Sequence, residues 1–211
     1  MVVILSLLVL LFSIVVHEVA HAWQARREGD TTAEQLGRIT LNPIKHLDPV
    51  GSVAVPLVLY FSGSPFMFGW AKPVPIDPRN FRNFRWGDIR VSLAGIVSNL
   101  GLAVLCTLGT AVIVQFAQGG TLGTVMRMLE YGIYINLVLA IFNLIPIPPL
   151  DGSHVLYHFL PPRLAEGYRS LGRFGFVAVL AVVLIPGLLD VLLTPVDVLA
   201  DAAYWFIGLW T

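Results

Sequence analysis

Charge is scarce in this chain. Lys and Arg number 13 and Asp and Glu 13, so ionised residues make up only 12% of the 211, about half the share of an ordinary soluble domain. With 56% of residues hydrophobic, the chain belongs in a membrane. A formal net charge of zero leaves no basic excess of the kind nucleic-acid binding requires. The single cysteine, Cys106, excludes an intrachain disulfide and reads as a small core residue. No flexible linker, composition shift or short repeat interrupts the chain, so residues 1–211 read as one domain. The apolar amino terminus lacks the basic stretch that opens a secretory signal, and its apolar run continues to about Trp23. It reads as a membrane span, not a cleaved leader.

What is abundant is long apolar sequence. Residues 1–23, 91–117, 128–147 and 174–194 are strong spanning candidates, each with few or no ionised groups. Residues 51–68 are apolar but interrupted by Pro56 and Gly63-Ser64-Pro65, and 196–211 is short and carries Asp197 and Asp201. Twelve of the 13 basic residues fall in the connections 24–50, 69–90 and 152–173, leaving Arg127 alone elsewhere. If these connections all face the cytoplasm, the positive-inside rule is obeyed and the amino terminus lies outside. Connections 24–50 and 69–90 can share a side only if 51–68 enters the membrane and returns. The expected architecture is therefore an all-α, multi-span membrane bundle with a re-entrant, partly extended element between the first and second strong spans.

The first span ends in His17-Glu18-Val19-Ala20-His21. On a helix, residues four apart share a face, so both imidazoles can reach one metal ion with the glutamate beside it as a base. A catalytic zinc usually has three protein ligands and one open position, so a third ligand must come from elsewhere. Asp151, in the segment running from Asn143 through Pro146, Pro148 and Pro149 to Asp151-Gly152, is the candidate. Two crossings, 91–117 and 128–147, return the chain to the end of the membrane that holds His17 and His21, but only if 51–68 does not cross.

An HExxH paired with N-x-x-P-x-P-x-L-D-G resembles the site-2 protease family, the intramembrane zinc metalloproteases of peptidase family M50. The segments LGRITLNPIKHLDPVGS (36–52), FGWAKPVPIDPRNF (68–81) and AGIVSN (94–99) are similar to stretches of its short bacterial and archaeal members. The chain looks like a compact member without room for PDZ or CBS domains. The resemblance implies one zinc per chain on His17, His21 and Asp151, with Glu18 activating the attacking water. It also implies a catalytic role for Asn143, holding substrate backbone or stabilising the oxyanion. Transmembrane protein substrates in a lipid bilayer follow, with the site toward the cytoplasmic side of a prokaryotic cell membrane.

Other polar residues carry weaker expectations. Asn99 could serve the site or bond across helices; His46, in a turn-rich stretch, reads as a structural hydrogen-bond partner. His154 and His158 also stand four apart, but no glutamate follows the first. FGWAKPVPI suggests extended backbone to which a substrate could add as a strand. Two rival functions use the same residues: a membrane zinc transporter or sensor, and a non-proteolytic scaffold. A transporter calls for polar groups across the bilayer, and a scaffold has no need of the complete motif.

Overall fold

The computed structural model describes residues 2–62, 71–116, 120–185 and 187–210. Its helices are α1 (Val2–Glu28), α2 (Thr32–Gln35), α3 (Val55–Phe61), α4 (Phe84–Ile113), α5 (Gly120–Leu144), α6 (Asp151–Tyr157), α7 (Pro162–Ser170), α8 (Gly175–Leu184) and α9 (Leu188–Gly208). No strand occurs among the described residues. Four stretches are long and apolar enough to cross a membrane: Ile4–Glu28, Phe84–Ile113, Leu122–Leu144 and Leu188–Gly208. The protein is an all-helical membrane protein, as expected.

The fourth spanning helix differs from the expectation. The apolar window 174–194 is broken: α8 has ten residues, about 15 Å of helix, half a hydrocarbon core. Ile185 is extended, with ψ 116°, the backbone favoured before a proline. Gly187 then takes a left-handed φ of +78°, which glycine adopts without a side-chain penalty. Helix resumes as α9, which absorbs Pro195 and exposes Asp197 and Asp201. The expected re-entrant stretch begins with a helical turn, Pro49–Ala54, and the seven residues of α3, together too short for a crossing. Residues 63–70 lie outside the described residues.

Packing inverts the pattern of a soluble helix. The inner stripe of α4 is Asp88, Ser92, Gly95, Asn99, Ala103, Thr107 and Thr110, all buried, while Val97, Val104, Leu105 and Val112 face outward. Lipid is as apolar as leucine, so burial alone does not hold the bundle together; small residues permit close approach and polar ones bond between helices. Thr107 and Thr110 return their hydroxyls to the carbonyls of Ala103 and Cys106. Gly132 on α5 makes room for Cys106, whose Sγ would sit 2.7 Å from a Cβ there. Ala103, Ile133, Leu137, Val196 and Ala200 join α4, α5 and α9 in the apolar core.

One end of the bundle is marked by aromatic and basic residues. Arg27 lies over the ring of Trp23 at 3.8 Å near the end of α1, and Arg85 pairs with Trp86 at the start of α4. Such residues anchor at the headgroup level, and His21 and His17 precede Trp23 on α1 by about half a turn and nearly two turns. Residues 71–83 are laced back onto this end of α1. Buried Asp30 accepts from Thr32 N (3.1 Å), Asn80 Nδ2 (2.9 Å) and Asp77 N (2.8 Å), and from the Thr32 hydroxyl, while Arg82 N donates to the Glu28 carbonyl at 2.8 Å.

Burial pushes the Asp30 carboxyl upward, but these donors outweigh it and hold the group below its ordinary value. A carboxylate depressed in this way contributes stability above its unfolded value, and loses it as pH falls through the folded one. Asp30→Ala, which strands buried donors, is expected to cost about 2 kcal/mol, read by denaturant unfolding in detergent at neutral pH. The difference from wild type should shrink below about pH 4.

Candidate metal centre

α1, α4 and α6 build the site together. His17 and His21, one turn apart on α1 and both buried, turn their Nε2 atoms toward each other at 2.9 Å. Asp151, the first residue of α6, places Oδ2 3.2 Å from His17 Nε2 and 3.3 Å from His21 Nε2. Among the described residues, this is the group of three donors close enough to hold one metal ion.

The remaining hydrogen bonds show what the centre calls for. His17 Nδ1 donates to Asn99 Oδ1 at 2.5 Å, and His21 Nδ1 donates to the Val91 carbonyl at 2.7 Å. With the proton of each neutral ring on Nδ1, both Nε2 atoms present bare lone pairs to one another and to a carboxylate. Asp151 Oδ2 is buried and accepts no hydrogen bond. Three electron-rich atoms converging in a nearly dry place demand a cation. Their separations approach the roughly 3.3 Å edge of a tetrahedral site with bonds of about 2.0 Å, and the His₂-carboxylate donor set suits zinc. The residues fit the metal.

Each ligand is backed by a neighbour, as metal-binding histidines usually are. The Asn99 amide nitrogen donates to Asn136 Oδ1 at 2.8 Å and to the Ser13 carbonyl at 3.4 Å. Asn136 in turn donates to Ser13 Oγ at 2.9 Å and to the Gly132 carbonyl at 2.8 Å. This buried chain fixes which end of Asn99 faces His17, and therefore the tautomer. Two glycines admit the ligands. A Cβ at Gly95 would sit 2.5 Å from His17 Cε1 and from His21 Nε2. One at Gly152 would collide with the Leu144 carbonyl, so only glycine lets α6 close on the end of α5.

Glu18 is half-buried beside the histidines, and its Oε2 accepts the Val74 N–H at 2.7 Å. Residues 71–77 are neither helix nor strand. Arg38 Nη2 holds them through the Lys72 carbonyl (2.8 Å) and the Pro73 carbonyl (3.2 Å), and the His46 carbonyl accepts from Lys72 N at 2.9 Å. His46 is thus a buried structural partner, donating through Nε2 to the Thr40 carbonyl at 2.9 Å. Asn143, half-buried, donates to its own helix at the Leu139 carbonyl, 2.9 Å away, and stands outside the trio of donors. His154 and His158 pair with Asp88. Sequence reasoning left Asn99 undecided and missed Ser13, Asn136 and Asp88. For Ser13, Asn99 and Asn136 the available signal was a polar residue inside an apolar span, one turn from a glycine or from His17; Asp88, in the charged start of α4, carried no such signal.

Fold and site thus bring three potential metal donors together in an all-helical membrane protein, with the Glu18 carboxylate beside them. The model of peptidase family M50 matches residues 5–182; the chain belongs to that family. Among curated relatives, Bacillus subtilis (strain 168) YwhC, described as a zinc metalloprotease, is 37% identical over 185 residues, covering 84% of this chain and 78% of the relative. Rip2 of Mycolicibacterium smegmatis, described likewise, is 30% identical over 178 residues, covering 84% of this chain and 66% of Rip2. No solved structure matches.

Gly95→Ala forces a methyl between the imidazoles and is expected to abolish zinc retention through purification, measured by elemental analysis. Gly101→Ala on the same helix, where a Cβ meets nothing within 4 Å, should retain one zinc per chain. Asn99→Leu should weaken zinc 10- to 100-fold in a chelator competition.

Proposed function

We propose that this protein is an intramembrane zinc endopeptidase, with one zinc per chain on His17, His21 and Asp151, that hydrolyses peptide bonds in transmembrane segments of membrane-protein substrates. The observation that carries this reading is the convergence of two bare imidazole nitrogens and an unpartnered carboxylate oxygen beside a glutamate. Membership of a peptidase family and relatives described as zinc metalloproteases support it.

The metal, when bound, supplies Lewis acidity, bringing the pKa of water toward about 7 and polarising a scissile carbonyl. The chain's own groups do the rest. Glu18 takes the proton of the attacking water and delivers it to the leaving amine. Val74 N–H steadies that carboxylate through Oε2, tying the base to the 71–77 segment. Asn99 and the Val91 carbonyl keep both imidazoles in the tautomer with Nε2 free. Asn143, the last residue but one of α5, is proposed to hold the substrate backbone or the oxyanion, giving up the Leu139 carbonyl to do so.

Hydrolysis needs water and an extended peptide, whereas helical amides are bonded and shielded. A substrate helix must therefore unwind near His17 and Asp151, and helix-breaking residues in the substrate should promote cleavage. The concentration of basic residues beside α1 and α4 favours a cytoplasmic position for the site in a prokaryotic cell membrane, with 51–68 re-entrant.

The decisive experiment is cleavage of a transmembrane reporter by purified protein. Glu18→Gln should keep its zinc and lose cleavage by more than 10³-fold, and chelator should abolish cleavage by wild type. Zinc-loaded Glu18→Gln that still cleaves would sink the reading; a transporter or scaffold has no need of that carboxylate. Asn143→Ala should lower kcat about 10²-fold with zinc content unchanged.

A further inference from the structure

Helix α6 holds Asp151 with little help of its own. It has seven residues and no side-chain cap at its amino terminus. Pro146, Pro148 and Pro149 lead into it, and none of them has an N–H to donate. Yet Asp151 stays aimed at two imidazoles on another helix.

α6 and α4 meet along matching stripes. Asp151, His154 and His158 follow one another at spacings of three and four, so they share a face. On α4, Gly95 lies against the liganding histidines, and Asp88, two turns earlier, receives the other end of α6. His158 Nε2 donates to Asp88 Oδ2 at 2.8 Å, and His154 Nδ1 lies 3.4 Å from both carboxylate oxygens. The Asp88 and His158 side chains are only 11% and 5% exposed, and removing one partner from a buried ionic contact leaves the other uncompensated. Hydrolysis uses none of these three groups. Nor do they make a second metal centre, since among the described residues only His17, His21 and Asp151 bring three donors together.

We propose that Asp88 is a positioning residue: by clasping His154 and His158 it fixes the rotation and register of α6 on α4, and so keeps Asp151 within reach of the metal. That last step rests on the zinc reading above; the clasp itself does not. The Asp88 hydrogen bond holds the His154 imidazole above its ordinary value against the opposing effect of burial, with Asp151 adding to the rise and Arg169 opposing it. The charged form strengthens the clasp. A cavity of about 270 Å³, lined by Asp88, Pro149, Ser153, His154, Tyr168 and Arg169, gives α6 room to shift once the clasp is released.

Amide exchange read by mass spectrometry on zinc-free full-length protein in detergent tests the clasp directly. Peptides covering 151–158 should exchange at least 10-fold faster in Asp88→Ala and in His158→Ala, with α1 and α5 unchanged. Asp88→Asn, which keeps an acceptor of the same shape, should fall between these and wild type. In chelator competition the zinc dissociation constant should rise 10- to 100-fold in Asp88→Ala, and by less in Asp88→Asn. Exchange at wild-type rates in α6 of folded Asp88→Asn and His158→Ala would overturn the clasp, whether or not Asp88→Ala folds. Fast exchange with wild-type zinc affinity would overturn its link to Asp151. If wild type itself takes up no zinc, the metal reading falls, and exchange alone decides the clasp.

Discussion

Two imidazole lone pairs and a carboxylate oxygen, forced together inside an apolar bundle, are the constraint on which the rest of this structure depends. Without a cation the three repel, and burying them in an apolar bundle is costly. The bundle is built around tolerating them. α4 carries glycine where the rings need space and asparagine where one ring needs an acceptor, and it offers a backbone carbonyl to the other. Ser13, Asn99 and Asn136 are each almost completely buried, and each finds partners among the others, so three helices share one polar chain. In lipid, where apolar burial supplies little attraction between helices, that chain also helps hold α1, α4 and α5 together.

The Glu18 carboxylate belongs to a second layer of contacts. Glu18 bonds Val74, Arg38 bonds the carbonyls on either side of the Lys72–Pro73 link, and Asp30 gathers Asp77 and Asn80. A stretch with two prolines and no ladder of its own is thus ordered by side chains from the α1 end of the molecule. The backbone nearest Glu18 is therefore neither helix nor strand, and side chains hold it in place. Asp151 arrives from the opposite side on a short helix, docked by Gly152 beneath α5 and by histidines against Asp88. Glu18 and Asp151 therefore come up to His17 and His21 on separate supports.

The sequence by itself determined the membrane class, because charge this scarce leaves too little polar surface to face water. It also singled out the three candidate metal donors that the fold brings together: i and i+4 on a helix share a face whatever the surroundings, and the proline-rich break before Asp151-Gly152 marks a carboxylate at the end of a span. The four-span count was legible, but the position of the last span was not, because an apolar window runs unbroken across a Pro-Gly pair that backbone geometry does not allow a helix to ignore. Only the tertiary structure decided which groups support the ligands. His17 meets Asn99 across 82 residues and Asp88 meets His158 across 70. Helical periodicity is a local property of the chain, whereas in an apolar medium the pairing of each polar group is settled between helices, by whichever donor and acceptor their packing brings face to face.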